Sequence, residues 1–266
     1  MMLLRRLAYY FRSIFTLLTG ITNWPTVIAA FIGLPLAQPF TLQLRTGLHF
    51  KARSRMDVWI IKETCLDLDY ERLSGPIQAD WNIIDIGAGL GDYALGAARC
   101  NPHGVVHAYE PFPGSFDLLQ QNLRLNQIGN VSAFAEAVSD HTGTLQLEMS
   151  GAAVQHRTAG AGQAQVSVGV PAITLSQALA RLNGAPCDLL KMDCEGAEYE
   201  ILMNADEACW PLLKRIVMEY HDGVTAYSHQ DLAAFFEKRG CRVRRFPSRV
   251  QKNLGFLDIT LGQENS

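Results

Sequence analysis

From Asn82 onward the chain alternates short apolar runs with segments of helical periodicity, and this alternation narrows the possible folds more than any other feature. The runs "NIIDIG", "VVHAYEP", "VSAFAEAVS", "CDLLKMD", "KRIVMEYH", "CRVRRF" and "GFLDITL" have the length and composition of strands. Between several of them lie helical patterns such as "SFDLLQQNLRLN", "EYEILMNADEAC" and "HQDLAAFFEKRG", with turn signals at "NPHG" and "QIGN". Strands alternating with helices predict an α/β domain built on a mostly parallel sheet, here of seven strands with helices on both faces. "TLSQ", Thr174 to Gln177, fits a capping box that opens a helix. The Gly/Ala/Gln-rich stretch 150–170 reads as a mobile loop or loose hairpin. Residues 1–75 read as a helical amino-terminal appendage with one strand-like piece, "FTLQLRTGLHFKAR", and residues 76–266 as the main domain.

A chain of 266 residues can bury a real core, and a formal net charge of −3 gives no bulk reason to seek nucleic acid. Cys65, Cys100, Cys187, Cys194, Cys209 and Cys241 show no C-x-x-C and no metal-ligand spacing. They point to free thiols in a reducing, cytoplasmic compartment rather than to zinc. Between Arg12 and Arg45 no residue is charged, and Arg5, Arg6 and Arg12 precede that run. Asn23, Pro25, Pro35 and Pro39 interrupt it, so no stretch of about 18 apolar residues exists. The expectation is helices packed on the main domain; membrane-surface association and a true span or signal are the alternatives.

"NIIDIGAGLGDYAL" places Asp85 at the end of a strand, followed by Gly87, Gly89 and Gly91. A glycine-rich turn after the first strand of such a sheet binds nucleotide-like ligands, and a tight turn without ligand is the plainer alternative. In the dinucleotide fingerprint G-x-G-x-x-G the third glycine would fall at Asp92, whose charge opposes a pyrophosphate. Asp85 instead suits a cationic ligand such as a sulfonium or amino group. The next strand ends in Glu110, about twenty residues past the glycines, where an acid can accept hydrogen bonds from both ribose hydroxyls. S-adenosylmethionine combines an adenosine, a sulfonium and an amino acid without phosphate, and it meets these requirements together.

The segments "DIGAGLG", "YEPFPGSFDLLQQNLRLN", "AVSDHTGTLQL", "LLKMDCEGAEYEIL" and "VMEYH" resemble, in order and spacing, the FkbM-type S-adenosylmethionine-dependent methyltransferases. The block K-x-D-x-E-G-A-E is the most specific of these, and "MDVWIIKETCLDLDY" looks like the family's lead-in. Gly89 stands where the family often has Asn, and Cys194 where an aliphatic residue is usual. The resemblance implies a class I, Rossmann-like methyltransferase fold and O-methylation of a sugar, glycan or polyketide-like hydroxyl. Carried along these motifs, cofactor binding falls to Asp85, Gly87, Ala88, Gly89, Gly91, Glu110, Pro111, Glu136, Ala137 and Asp193.

Methyl transfer to a hydroxyl needs the acceptor oxygen aligned and its proton removed. Asp193 and Glu195 follow the strand "CDLLKMD", and His221 ends "RIVMEYH", so these three are the catalytic candidates. A neutral His221 imidazole is the expected base, its alternative being a histidine that only hydrogen-bonds at the crevice edge. Asp193 has a helix cap as its alternative role, and Glu198 is expected on the helix surface or in its first turn. Asp193, Glu195, Glu219 and His221 could also hold a divalent ion, but without a spacing motif no metal is assigned. The basic stretch "CRVRRFPSRVQK" reads as a solvated edge strand, with an anionic acceptor or nucleic acid as the alternative. The acceptor is expected to be a small molecule or glycan. The rival readings are a nicotinamide-dependent oxidoreductase and a non-catalytic scaffold on the same fold.

Overall fold

The computed structural model describes residues 2–148, 167–248 and 251–262. Helices α1 (Met2–Gly20) and α2 (Trp24–Phe31) lead into strands β1 (Phe40–Gln43) and β2 (His49–Ala52). Helix α3 (Arg55–Ile61) continues into a π-helical turn, Lys62–Leu66, and α4 (Glu71–Ser74) follows. Next come β3 (Asn82–Ile86), α5 (Asp92–Cys100), β4 (Val105–Tyr109), α6 (Pro113–Leu125) and β5 (Val131–Phe134). Strands β6 (Ala137–Ser139), β7 (Gly143–Glu148) and β8 (Ser167–Thr174) precede α7 (Leu175–Ala180), β9 (Leu189–Met192) and α8 (Glu198–Met203). A 3-10 turn, Glu207–Leu212, then leads to β10 (Arg215–His221), α9 (His229–Glu237), β11 (Arg242–Pro247) and β12 (Leu254–Thr260).

The main sheet has seven strands in the order β11-β12-β10-β9-β3-β4-β5, and only β12 runs against its neighbours. The chain leaves β3 toward β4 and β5, then returns to place β9 on the other side of β3. This reversal opens a crevice at the carboxyl ends of β3 and β9, where open α/β sheets hold their ligands.

Strand alternation divides the core in two. Ile83, Val106, Ala108, Leu189 and Val217 project to one face, where they join Leu17, Ile21, Leu42 and Phe50 of the amino-terminal segment and Leu118 and Leu119 of α6. Ile84, Ile86, Leu190, Met192, Ile216 and Met218 project to the other, against Leu179, Tyr199, Leu202, Leu232 and Phe236 of α7, α8 and α9. Residues before 75 thus supply one of the layers that cover the sheet. Two asparagines of "NLRLN" fasten that layer. Asn122 accepts from Lys51 N–H at 2.6 Å and donates to Leu90 O at 2.9 Å, while Asn126 accepts from His49 N–H at 2.8 Å.

The strand-like piece before residue 54 is a hairpin, β1 against β2. The run "VSAFAEAVS" is not one strand: it breaks at Ala135–Glu136 into β5 of the main sheet and β6 of a three-stranded sheet, β6-β8-β7. That second sheet was not foreseen. Of the stretch read as a loop or loose hairpin, residues 167–170 belong to β8, and residues 150–166 lie outside the described residues. The capping box is formed: Gln177 N–H donates to Thr174 Oγ1 at 3.3 Å and Thr174 N–H to Gln177 Oε1 at 2.9 Å. Strand β11 is the sheet edge, and Arg244 on it shares Asp258 with Arg215, at 2.7 and 2.6 Å.

Of the uncharged amino-terminal run, Leu17, Ile21 and Val27 are buried, whereas Ile14, Phe15 and Ile32 are 57%, 64% and 65% exposed. Among the described residues no helix is long and apolar enough to cross a membrane.

Candidate active site

A row of polar residues runs along one face of the sheet toward the crevice. Asp85 on β3 and Val217 on β10 are both in register with Lys191 on β9, so all three share a face. Two residues further along each strand come Gly87, Asp193 and Glu219, and then His221. Lys191 Nζ lies 2.9 Å from Asp85 Oδ1 and donates to Gly87 O at 2.9 Å. Burial alone would lower the pKa of this ammonium, but the carboxylates of Asp85, Asp193 and Asp92 outweigh it and hold the group protonated. Asp85 is fully buried and does not line the cleft. Its expected role toward a cationic ligand is therefore corrected: its cation is Lys191.

At Gly87, with φ +75°, a Cβ would sit 1.9 Å from Asp193 O, so this position is bare because β9 passes against it. Gly89, φ +55°, meets nothing closer than Asp92 Oδ1 at 3.5 Å and lies open to the cleft. Gly89 N–H donates to Glu110 Oε2 and Phe112 N–H to Glu110 Oε1, each at 2.8 Å. Burial pushes the Glu110 carboxyl up to about 7, against the pull of those two N–H groups and Lys191. A carboxylate offers about four lone-pair sites, so both oxygens can still accept from a ligand.

The cleft encloses about 1780 Å³ and is lined by Gly87, Gly89, Glu110, Pro111, Ala137 and Asp193 among the expected cofactor residues. Ala88 and Gly91 are outside the lining, Gly91 being against Leu119. Glu136 is also outside it. Its carboxylate is held by Arg181 through two hydrogen bonds, 2.6 and 3.1 Å, away from the cofactor residues that line the cleft.

At the crevice edge, Asp193, Glu195 and His221 come together. Tyr70 OH donates to Asp193 Oδ2 at 3.0 Å, while Asp193 Oδ1 lies 4.0 Å and Glu195 Oε2 3.6 Å from His221 Nε2. Glu195 has φ +54°, a left-handed backbone that costs a non-glycine residue about 1 kcal/mol or more. Glu198 begins α8, yet its side chain is fully buried rather than on the surface. It accepts from Cys194 N–H at 2.7 Å and Gly196 N–H at 2.8 Å, and its Oε1 lies 3.2 Å from His221 Nδ1. Burial works to lower the His221 pKa, but the bond to Glu198 and the charges of Asp193, Glu198 and Glu219 raise it to about 10. That shift favours the protonated ring, the opposite of the neutral base expected at His221.

Tyr70, Lys191 and Glu198 were not foreseen as parts of the site. Lys191 and Glu198 stand inside K-x-D-x-E-G-A-E, and the alternation of β9 could have aligned Lys191 with Asp193. Tyr70 carries no sequence signal, because it reaches Asp193 across 123 positions of chain.

The chain matches the Methyltransferase FkbM domain family over residues 85–243. It is 30% identical over 204 residues to methyltransferase sdnD of Sordaria araneosa, covering 65% of this chain and 78% of that one. Against the 31-O-demethyl-FK506 methyltransferase FkbM of Streptomyces tacrolimicus the identity is 28% over 195 residues, covering 62% and 74%. Among solved structures, methyltransferase FkbM from Methylobacillus flagellatus KT shares the fold. The TM-score is 0.51 at 13% identity, over 76% of this chain and 53% of that one.

Proposed function

The chain belongs to the FkbM methyltransferase family, and from that premise we propose that it moves the methyl group of S-adenosylmethionine onto a hydroxyl of a sugar- or polyketide-like acceptor. The observation that carries this reading is Glu110, a buried carboxylate facing the cleft beside the open Gly89. Ribose hydroxyls donate to it, and Asp92 at the start of α5 makes the same turn unfavourable for a pyrophosphate. The sulfonium then points along the crevice toward Asp193.

In the transfer, the acceptor oxygen attacks the methyl carbon, the carbon–sulfur bond breaks and a neutral thioether leaves. The hydroxyl proton passes to Glu195, whose Oε2 lies 3.6 Å from His221 Nε2 at the crevice edge. Asp193, anchored by Tyr70, orients the acceptor. A cleft of about 1780 Å³ exceeds the usual 300–1,000 Å³ of a single small-molecule site, so cofactor and acceptor fit together. Tyr10, Ile14, Phe31 and Met56 line this cleft and are also exposed, which favours an acceptor with an apolar scaffold. The Streptomyces relative is named for 31-O-demethyl-FK506, which supports oxygen as the acceptor atom.

Transfer of labelled methyl to a panel of hydroxyl-bearing sugars and polyketides tests the reading. Product whose methyl sits on nitrogen or carbon would overturn it.

Glu110→Ala should weaken S-adenosylmethionine by at least about tenfold, about 1.5 kcal/mol for a charged hydrogen bond. Affinity should also depend on pH. A ribose hydroxyl donates to the ionised carboxylate, so binding lowers the Glu110 pKa from about 7 and releases a proton. Affinity measured by titration calorimetry should therefore fall as pH drops below 7 and level off above it, and Glu110→Gln should flatten the profile. A profile equally steep in Glu110→Gln would remove Glu110 from the ribose.

A further inference from the structure

We infer that Asp193, Glu219 and His221 form a binding site for one divalent metal ion, seated in the cleft where the acceptor hydroxyl arrives. The binding claim rests on geometry alone, and only the role given to the ion rests on the proposed function.

Alternation along β10 puts Glu219 and His221 on one face, and Asp193 extends the neighbouring β9 toward the same side. One donor atom from each of the three residues lies within 4.8 Å of the others. An ion about 2.1 Å from each donor sets donor pairs about 3.0 Å apart when adjacent and about 4.2 Å when opposite. The 4.0 Å between His221 Nε2 and Asp193 Oδ1 already lies in that range.

His221 supplies the nitrogen donor. It is only 8% exposed, and its Nε2 makes no hydrogen bond among the described residues while facing carboxylates at 3.6 and 4.0 Å. Its other nitrogen is fixed by Glu198, itself locked by the N–H groups of Cys194 and Gly196. A carboxylate on Nδ1 sets the ring so that Nε2 can bind a metal once the ion displaces the proton there, the support that metal-bound histidines ordinarily have. Tyr70 does the same for Asp193: it occupies Oδ2 and leaves Oδ1 on the His221 side. Glu219 makes no hydrogen bond among the described residues and is half-buried in the same lining, so its carboxylate oxygens are left to a ligand.

One imidazole nitrogen with two carboxylates is a mixed donor set. It suits Mn²⁺ better than Ca²⁺, which takes oxygen alone. In the proposed reaction the ion holds the acceptor oxygen and makes its proton more acidic. That proton passes to Glu195, the oxygen–methyl bond forms as the carbon–sulfur bond breaks, and the ion is unchanged.

The test is titration of MnCl₂ into chelator-treated protein, read by calorimetry and by the electron paramagnetic resonance of bound Mn²⁺, with MgCl₂ and ZnCl₂ for comparison. One Mn²⁺ per chain at micromolar affinity is expected. Glu219→Gln and His221→Ala should each weaken it at least about tenfold, the scale for disturbing a metal site. S-adenosylhomocysteine affinity should be retained in Glu219→Gln, which reports that this variant is folded and keeps the cofactor reading separate. No binding of any of the three ions at millimolar concentration would overturn the site. So would Mn²⁺ binding to Glu219→Gln as tightly as to the native chain.

Discussion

Asp193→Ala is expected to lower turnover by about 10³-fold, within the 10²–10⁴ range typical of groups that manage protons and charge at a reacting centre. Asp193 ends the strand adjacent to the glycine turn, and its two oxygens face different partners, Tyr70 OH at 3.0 Å and the His221 ring at 4.0 Å. On the proposed function, removing the carboxylate strips the group that orients the acceptor and takes a negative charge away from the His221 ring. Asp193→Asn preserves the shape and an acceptor for Tyr70 while deleting the charge, so it should lose nearly as much. Steady-state rates with labelled cofactor check both variants. A rate for Asp193→Asn within a few-fold of the native enzyme would reduce Asp193 to a neighbour of the reaction.

The second large effect is on stability. Glu198→Ala leaves three donors without their acceptor: Cys194 N–H, Gly196 N–H and the His221 ring. Each lost bond to a buried group costs about 1–3 kcal/mol, and breaking a buried charged pair costs about 3–5 kcal/mol. A loss of about 4 kcal/mol in urea unfolding, with an unchanged slope, is the expected result. Glu198→Gln keeps one acceptor oxygen and should lose about half as much. A loss under about 1 kcal/mol for Glu198→Ala would mean that another group or water takes over these donors.

The main sheet was legible because strand and helix patterns differ in period, and six of the seven strand runs fall on single strands of that sheet. The exception, "VSAFAEAVS", keeps a strand-like composition from end to end; only the change of pairing partner, from β4 to β8, divides it at Ala135–Glu136. Strands β7 and β8 escaped notice because they flank the Gly/Ala/Gln-rich stretch, and a small sheet half-open to solvent needs little apolar signal. The place of Glu110 in the cleft lining was legible from its spacing after the glycines. Asp85 was misread for a physical reason: a carboxylate at a strand end looks the same in sequence whether it meets a ligand or a buried lysine. The partner, Lys191, lies 106 residues away and meets it only through sheet register. For the same reason a histidine in sequence carries its ordinary pKa. Only the convergence of Glu198, Asp193 and Glu219 around the ring shifts the His221 pKa upward.

The central claim is that the crevice between β3 and β9 binds S-adenosylmethionine through Glu110. Calorimetric titration of the full chain with S-adenosylmethionine and, separately, with NAD tests it most directly. One S-adenosylmethionine per chain, weakened at least about tenfold in Glu110→Ala, with no heat from NAD, is the predicted result. Binding of NAD in place of S-adenosylmethionine, or equal S-adenosylmethionine affinity in Glu110→Ala, would contradict it.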